Sequence, residues 1–328
     1  MASTRHRGCY AVGMKLHHTS VAGPFTHENL SIFLLLGDDV FDGSRFLPLG
    51  EALEQKLVTV HETGQVGQLE VENLSEQFDL YIQAGDVVKG GQQDRTLGVD
   101  FVLPAKSGRV PVPSFCVEMG RWHRRAQEAA GSFASSQSSL SSKSLRMAAK
   151  LSRSQGEVWQ GVAMMQECLS ASLHADVADE LSPTSFQLSV ENQDVQKRKD
   201  AFRAALAKAI DDTPGAVGYA FVINGEINTA DTYGSGVLFR KLWDKLLDAA
   251  VLEAIAESHR KPATAATAVT ADAIRDWFAA AEQAAVTEQR EVPPRVRMDT
   301  RRSEKSVLFE TYDHGLNETV LHRNLIAH

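Results

Sequence analysis

Cysteine is scarce in this chain: three in 328 residues, at Cys9, Cys116 and Cys168. An odd, widely spaced set builds no disulfide framework, and a reducing compartment is its natural setting. Membrane-length apolar runs are missing as well. The run "SIFLLL" (31–36) stops at Gly37-Asp38-Asp39, well short of the roughly 18 residues that a membrane helix needs. Arg5 and Arg7 have no apolar segment behind them, which is not the pattern of a secretory signal. A cytoplasmic protein with no membrane partner is the expectation. Positive charge is in deficit, with 34 Lys and Arg against 42 Asp and Glu and a net charge of -8. That excludes a basic surface over the whole molecule, so no nucleic-acid partner is expected.

Several motifs are also absent. The eleven histidines are scattered, with no H-E-x-x-H and no C-x-x-C, so no metal site is expected. There is no G-x-S-x-G elbow, no Walker lysine and no G-x-G-x-x-G. The turn "YGSGVLFRKLW" (233–243) leads into a helix N-terminus, where exposed N–H groups suit an anion, but its plain reading is a tight strand-to-helix turn.

What is present is a globular composition, 43% hydrophobic and 23% charged. The first 122 residues carry strand signals. "NLSIFLLL" (29–36) reads as a buried strand, and "PLGEALEQKLV" (48–58) as a short amphipathic helix. "GQLEVEN" (67–73) and "FDLYIQ" (78–83) alternate in polarity and predict an antiparallel hairpin across "NLSEQ". "LGVDFVL" (97–103) continues a sheet with one covered face. Helical periodicity follows over 156–173 and 191–211. Asn224-Gly225 between two alternating runs predicts a hairpin, because both turn positions need positive φ. Ser235 is set to cap a long helix over 235–257, and another helix is expected around Ile274, Trp277 and Phe278. "EVPPRVRM" reads as a break before a closing strand pair, "SVLFETYD" and "TVLHRNLI".

The fold class is therefore α+β: a mostly antiparallel N-terminal sheet with hairpins, a helical middle and C-terminal half, and a closing strand pair. Residues 1–13 read as a disordered extension or an upstream start. Residues 14–328 read as a single intertwined α+β domain, with a mobile serine-rich loop at 131–144.

Two stretches draw chemical attention. In "GDVVKGGQQDR" (85–95), Gly90-Gly91 opens backbone conformations closed to other residues. Asp86, Lys89, Gln93, Asp94 and Arg95 then offer carboxylate, amine, amide and guanidinium groups to a polar ligand. The plain alternative is a wide hairpin loop whose arginine pairs with Asp86 or Glu118. In "PSFCVEMGRW" (113–122), strand alternation turns Phe115, Val117 and Met119 inward and puts Ser114, Cys116 and Glu118 on the opposite face, followed by Arg121 and Trp122. Cys116 is a candidate nucleophile and Glu118 a candidate base. A neighbouring carboxylate raises a thiol pKa, however, and free cysteine is commonly a small buried side chain.

Together with the opening strands and the 215–247 segment, these two stretches resemble the ARG and Rhodanese-Phosphatase-superfamily-associated Protein domain family, over roughly residues 26–255. The most specific part is the pairing of "Q-x-R" with "C-V-E-x-G-R-W". Gln93, Arg95, Cys116, Glu118, Gly120, Arg121 and Trp122 fall on the family's recurrent polar positions, and Asp86 matches its acid. The family often has Asn at the position of Asp94, and "S-C" where this chain reads "S-F-C". The resemblance implies a link to ADP-ribose, NAD-derived or nucleotide metabolites, and names neither an established reaction nor a cofactor.

Two functions from different classes fit these residues. One is a pocket for a polar anionic, nucleotide-like small molecule, catalytic or not. There Arg95 and Arg121 hold anionic groups, Gln93 reads a polar edge, Trp122 stacks and Glu118 acts as base. The other is a non-enzymatic interaction or scaffold protein whose polar cluster is structural. Exposure of Arg95, Glu118 and Arg121 to an open concavity discriminates between them. A homo-oligomer is left open.

Overall fold

The computed structural model describes residues 20–121, 133–140, 142–260 and 268–328, with the side chains of 135–140 excepted. The N-terminal extension, Trp122 and the start of the serine-rich stretch lie outside the described residues.

In chain order the first elements are β1 (Val21–His27), β2 (Leu30–Leu36), β3 (Phe46–Pro48), α1 (Leu49–Glu54), β4 (Val58–Glu62) and β5 (Gln68–Asn73). Then come β6 (Asp79–Ile82), β7 (Asp86–Gly90), β8 (Arg95–Leu97), β9 (Phe101–Leu103), β10 (Arg109–Cys116) and β11 (Phe133–Leu140). The helical middle holds α2 (Lys143–Met147), continued by a π turn (Ala148–Ser152), α3 (Gln155–Leu173), α4 (Phe186–Val190) and α5 (Gln193–Leu206). The chain closes with β12 (Ala216–Ile223), β13 (Glu226–Tyr233), α6 (Gly236–Glu257), α7 (Ala271–Gln283), β14 (Val286–Val292), β15 (Val296–Arg302), β16 (Ser306–Asp313) and β17 (Thr319–Ala327). The class is α+β.

An eight-stranded sheet runs β1-β2-β12-β13-β17-β16-β15-β14, joining both ends of the chain. All its pairings are antiparallel. β12 carries no charged residue and is buried along its whole length because both faces of the sheet are covered there. Ile32 and Leu34 of β2 join the main core with α6 residues such as Leu242 and Leu246. Phe33 and Leu35, one step out of phase, pack with Ile274 and Phe278 of α7. The Asn224-Gly225 turn has φ of 53° and 84°, as its hairpin requires. The Ser235 hydroxyl accepts from Val237 N and caps α6.

A six-stranded sheet, β11-β7-β8-β10-β5-β4, carries both motif stretches, and a small mixed sheet, β3-β6-β9, lies apart from it. This separation corrects the expected hairpin over 67–83: β5 pairs with β4 and β10, and β6 pairs with β3 and β9. The cause is Asn73. Its buried amide donates to the carbonyls of Phe78, Leu103 and Pro104 at 2.9, 3.1 and 3.1 Å, and so diverts the chain into another sheet.

Four further expectations change. The alternation read over 113–119 stops at Cys116, where β10 ends; Met119 is 50% exposed, while Cys116, Val117 and Glu118 are all buried. The single covered face does not extend to β6, β8 and β9, which are buried on both sides. The serine-rich stretch has regular structure in its described part: β11 pairs with β7 from Phe133↔Gly90 onward, and Ser142 caps α2. "EVPPRVRM" is a β14–β15 hairpin, not a break.

Candidate functional site

The six-stranded sheet sets the register on which the motif residues meet. β8 pairs with β10 so that Arg95 lies opposite Cys116, and with β7 so that Arg95 lies opposite Val88. The 90–94 turn depends on its glycines, with φ of 128° at Gly90 and 58° at Gly91. A Cβ on Gly91 would collide with Glu62 Oε1 and the Phe133 ring. Asp94 closes the turn by accepting from Gly90 N at 3.0 Å.

Beyond Cys116 the chain leaves the sheet and is held by two other segments. Val117 N donates to Asp94 O and Phe186 N to Val117 O, each at 3.1 Å. Glu118 forms an isolated bridge with Ser185. Ser182 donates to Glu118 Oε1 and Thr184 to Met119 O. Gln155, the first residue of α3, clamps the Cys116 backbone, accepting from its N at 2.9 Å and donating to its O at 2.8 Å.

Within this frame Arg121 Nε donates to Glu118 Oε2 at 2.6 Å, and its Nη2 to Asp94 Oδ1 at 3.3 Å. Arg95 Nη1 donates to Gln93 Oε1 at 3.0 Å, and Gln93 Nε2 to Glu118 O at 3.2 Å. Glu62 reaches the same place, 4.0 Å from Arg95 Nη2, and accepts from Gln92 N at 2.8 Å. Gln93, Asp94, Arg95, Cys116, Glu118 and Arg121 are thus brought into one cluster, each at most 6% exposed. Its two guanidiniums face three carboxylates, so an incoming anion has to exchange with a carboxylate already in place.

Burial depresses the pKa of Arg95, partly offset by the acidic groups around it. Burial likewise pushes the Cys116 thiol up. The Cys116 Sγ donates to Glu118 O at 2.9 Å, which fits a neutral thiol and not a thiolate nucleophile.

Lys89 and Asp86 are engaged elsewhere. Lys89 Nζ lies 2.7 and 2.6 Å from the two Glu191 carboxylate oxygens. Asp86 Oδ1 accepts from Lys245 Nζ of α6 at 2.6 Å, and burial raises its pKa against that partner. Lys245 also lines a cavity of about 560 Å³ together with Lys199, Arg203, Lys241 and Asp248. Trp122 lies outside the described residues.

Glu62, Gln155, Ser182 and Thr184 are site-building residues that sequence reading did not find. Each sits on an element whose local pattern carries no signal beyond strand, helix start or loop.

The sequence model of the ARG and Rhodanese-Phosphatase-superfamily-associated Protein domain family matches residues 18–326. The chain belongs to this family. No curated protein and no solved structure matches it. Among the described residues, no helix is long and apolar enough to cross a membrane, and no group of three or more His, Cys, Asp and Glu side chains is placed to hold a metal ion.

Proposed function

We propose that this chain binds a polar anionic small molecule of NAD, ADP-ribose or nucleotide-linked metabolism at the Arg95–Glu118–Arg121 cluster. The observation that carries this reading is the convergence of two guanidiniums, an amide and a carboxylate from segments more than twenty residues apart, on the face where β8 meets β10. Arginine forks are suited to phosphate and carboxylate groups. The family's name, which associates it with ARG and rhodanese-phosphatase-superfamily proteins, supports the same ligand class. Arg95 and Arg121 hold the anion, Gln93 reads a polar edge, and Glu118 is the group available as a base. Trp122 directly follows Arg121 and is the candidate for stacking on a base.

The competing reading, a scaffold protein with a structural ion-pair network, draws support from the burial of Arg95 and Glu118 and from their bonds within the chain. Thermal shift of the purified chain against NAD, ADP-ribose and mononucleotides separates the two. A ligand at 100 times its dissociation constant stabilises by about 2.7 kcal/mol. That shift should vanish in Arg121→Gln. No shift with any of the panel, or a shift untouched by Arg121→Gln and Glu118→Gln, refutes the pocket and leaves the structural network.

A further inference from the structure

A second polar cluster lies in the core, built from other segments. β13 supplies Asp231 and Tyr233, β17 supplies His322 and Asn324, and the link from β8 to β9 supplies Asp100. Arg146 comes from α2 and Lys150 from its π turn, a geometry often found at functional sites. None of these side chains is more than 5% exposed.

His322 is clamped between carboxylates: Nδ1 lies 2.7 Å from Asp100 Oδ2 and Nε2 3.0 Å from Asp231 Oδ1. With both ring nitrogens taken it is no base for a substrate. Burial alone would strip its proton, but Asp100 and Asp231 outweigh burial and raise its pKa. The Tyr233 ring stacks on the imidazole at 4.6 Å.

Around this fixed imidazolium several donors are left over. Arg146 pairs with Asp231 Oδ2 at 3.6 Å, while its buried Nε has no hydrogen-bond partner among the described residues. The buried hydroxyls of Tyr81 and Tyr233 have none either. Lys150 donates to Asn324 Oδ1 at 3.1 Å and stands over the Phe309 ring at 4.4 Å. An ammonium has three donors to place. Arg146, Lys150 and His322 are three cations set among Asp100 and Asp231, with Glu253 of α6 near Arg146 and with one acceptor, Asp231 Oδ2, also without a hydrogen-bond partner among the described residues. Water would satisfy single donors, whereas a multidentate oxyanion accepts from several of them at once.

We propose that Arg146, Lys150, Tyr81 and Tyr233 form a buried site for a small tetrahedral oxyanion of the phosphate type, free or at the end of an ester. The site is distinct from the Arg95–Glu118–Arg121 cluster. On α2, the helix that carries Arg146, Lys143, Ser144 and Met147 line a cavity of about 680 Å³ with Glu253. The Glu253 carboxylate is close enough to feel the charge of Arg146.

Equilibrium dialysis of the full chain with labelled orthophosphate, in chloride buffer, tests this. One phosphate per chain is expected. Arg146→Gln and Lys150→Gln should each weaken binding about tenfold, as loss of a charge-assisted bond requires. Tyr233→Phe keeps the ring on His322 and removes one donor, so it reads the site even where the charge variants fail to fold; it should weaken binding severalfold. Ribose 5-phosphate in a parallel arm assigns the source: competition means that the site takes an ester end, and its absence means free phosphate alone. Three outcomes overturn the proposal: no phosphate held above the chloride control, undiminished binding by folded Tyr233→Phe, or loss in Glu118→Gln with Arg146→Gln unaffected.

Discussion

Replacing Glu118 by alanine is the sharpest perturbation of the motif cluster. Its carboxylate is fully buried and accepts from Arg121 Nε at 2.6 Å, and from the Ser182 hydroxyl. Removing one partner of a buried ion pair costs about 3–5 kcal/mol, mostly through the charge left behind. Arg121 keeps Asp94 at 3.3 Å, so the lower end applies, about 3 kcal/mol. At about 2 °C per kcal/mol for a large chain, calorimetry should record a fall in Tm of about 6 °C. Glu118→Gln keeps an acceptor and should lose about half as much. The double variant Glu118→Met, Arg121→Met removes both charges together and should be more stable than either single change. A Glu118→Ala protein melting within about 1 °C of the parent would refute this reasoning. Water would then reach the pair, and the closed cluster described above would be open.

The Asp100–His322–Asp231 cluster makes stability depend on pH in two directions. The His322 pKa is raised above 6.5 by Asp100 and Asp231 against burial, so its contribution is complete below 6.5 and is lost as pH climbs through the folded value. The Asp100 carboxyl is held below 3.8 by His322, with Lys150 and Thr311 assisting, against burial; that contribution is complete above 3.8 and is lost as pH falls through the lower value. Tm should therefore be highest between 3.8 and 6.5, and His322→Asn should flatten the alkaline limb; an equal alkaline fall in the variant contradicts the assignment. Cys116→Ser should cost about 1 kcal/mol and leave ligand binding intact, and a thiol reagent should modify half-buried Cys168 before buried Cys116; early labelling of Cys116 would show a thiolate there. Gly91→Ala combines positive φ with a collision against Phe133 and Glu62 and should destabilise by about 1–3 kcal/mol, which a parent-like denaturation midpoint would exclude.

Features fixed by neighbouring residues were legible in the sequence. Asn224-Gly225 needs positive φ whatever surrounds it, and the Ser235 cap bonds two residues on, so the β12–β13 hairpin and α6 could be read locally. Choice of partner strand was not. The alternation of β5 and β6 reports a buried face but not which sheet owns it, and the deciding contacts of the Asn73 amide reach to 103 and 104. Met119 was misplaced because alternation was carried past Cys116, where β10 hands the chain to the 182–186 segment. Asp100, Asp231 and His322 form no local motif: Asp100 lies between Val99 and Phe101, Asp231 among Thr229 and Thr232, and His322 beside Arg323 and Asn324, and they meet only across separations of 91 and 222 positions.

The two clusters differ in what they leave unanswered, and that difference bears on function. Buried charges are often replaceable by apolar side chains of similar volume with no loss of stability, so stability alone is a weak reason for either. In the motif cluster the acids match or exceed the cations, and Glu118, Arg121, Asp94, Gln93 and Arg95 bond to one another. A ligand there has to displace an existing pair, which demands a strongly charged group and ties occupancy to a shift of Arg121. In the core cluster two hydroxyl donors and the Arg146 Nε have no hydrogen-bond partner among the described residues, beside one such acceptor, Asp231 Oδ2. An anion there meets donors that are not already hydrogen-bonded. Apolar replacement should therefore separate them: Glu118→Met with Arg121→Met keeps a stable fold and removes only exchange at the motif site. Arg146→Met, by contrast, removes one partner of its buried pair with Asp231 and should lower Tm in phosphate-free buffer. In phosphate the fall should be larger, because the parent alone is stabilised by the anion. Equal falls in both buffers would mean that the spare donors of Arg146 and Tyr233 serve no ligand.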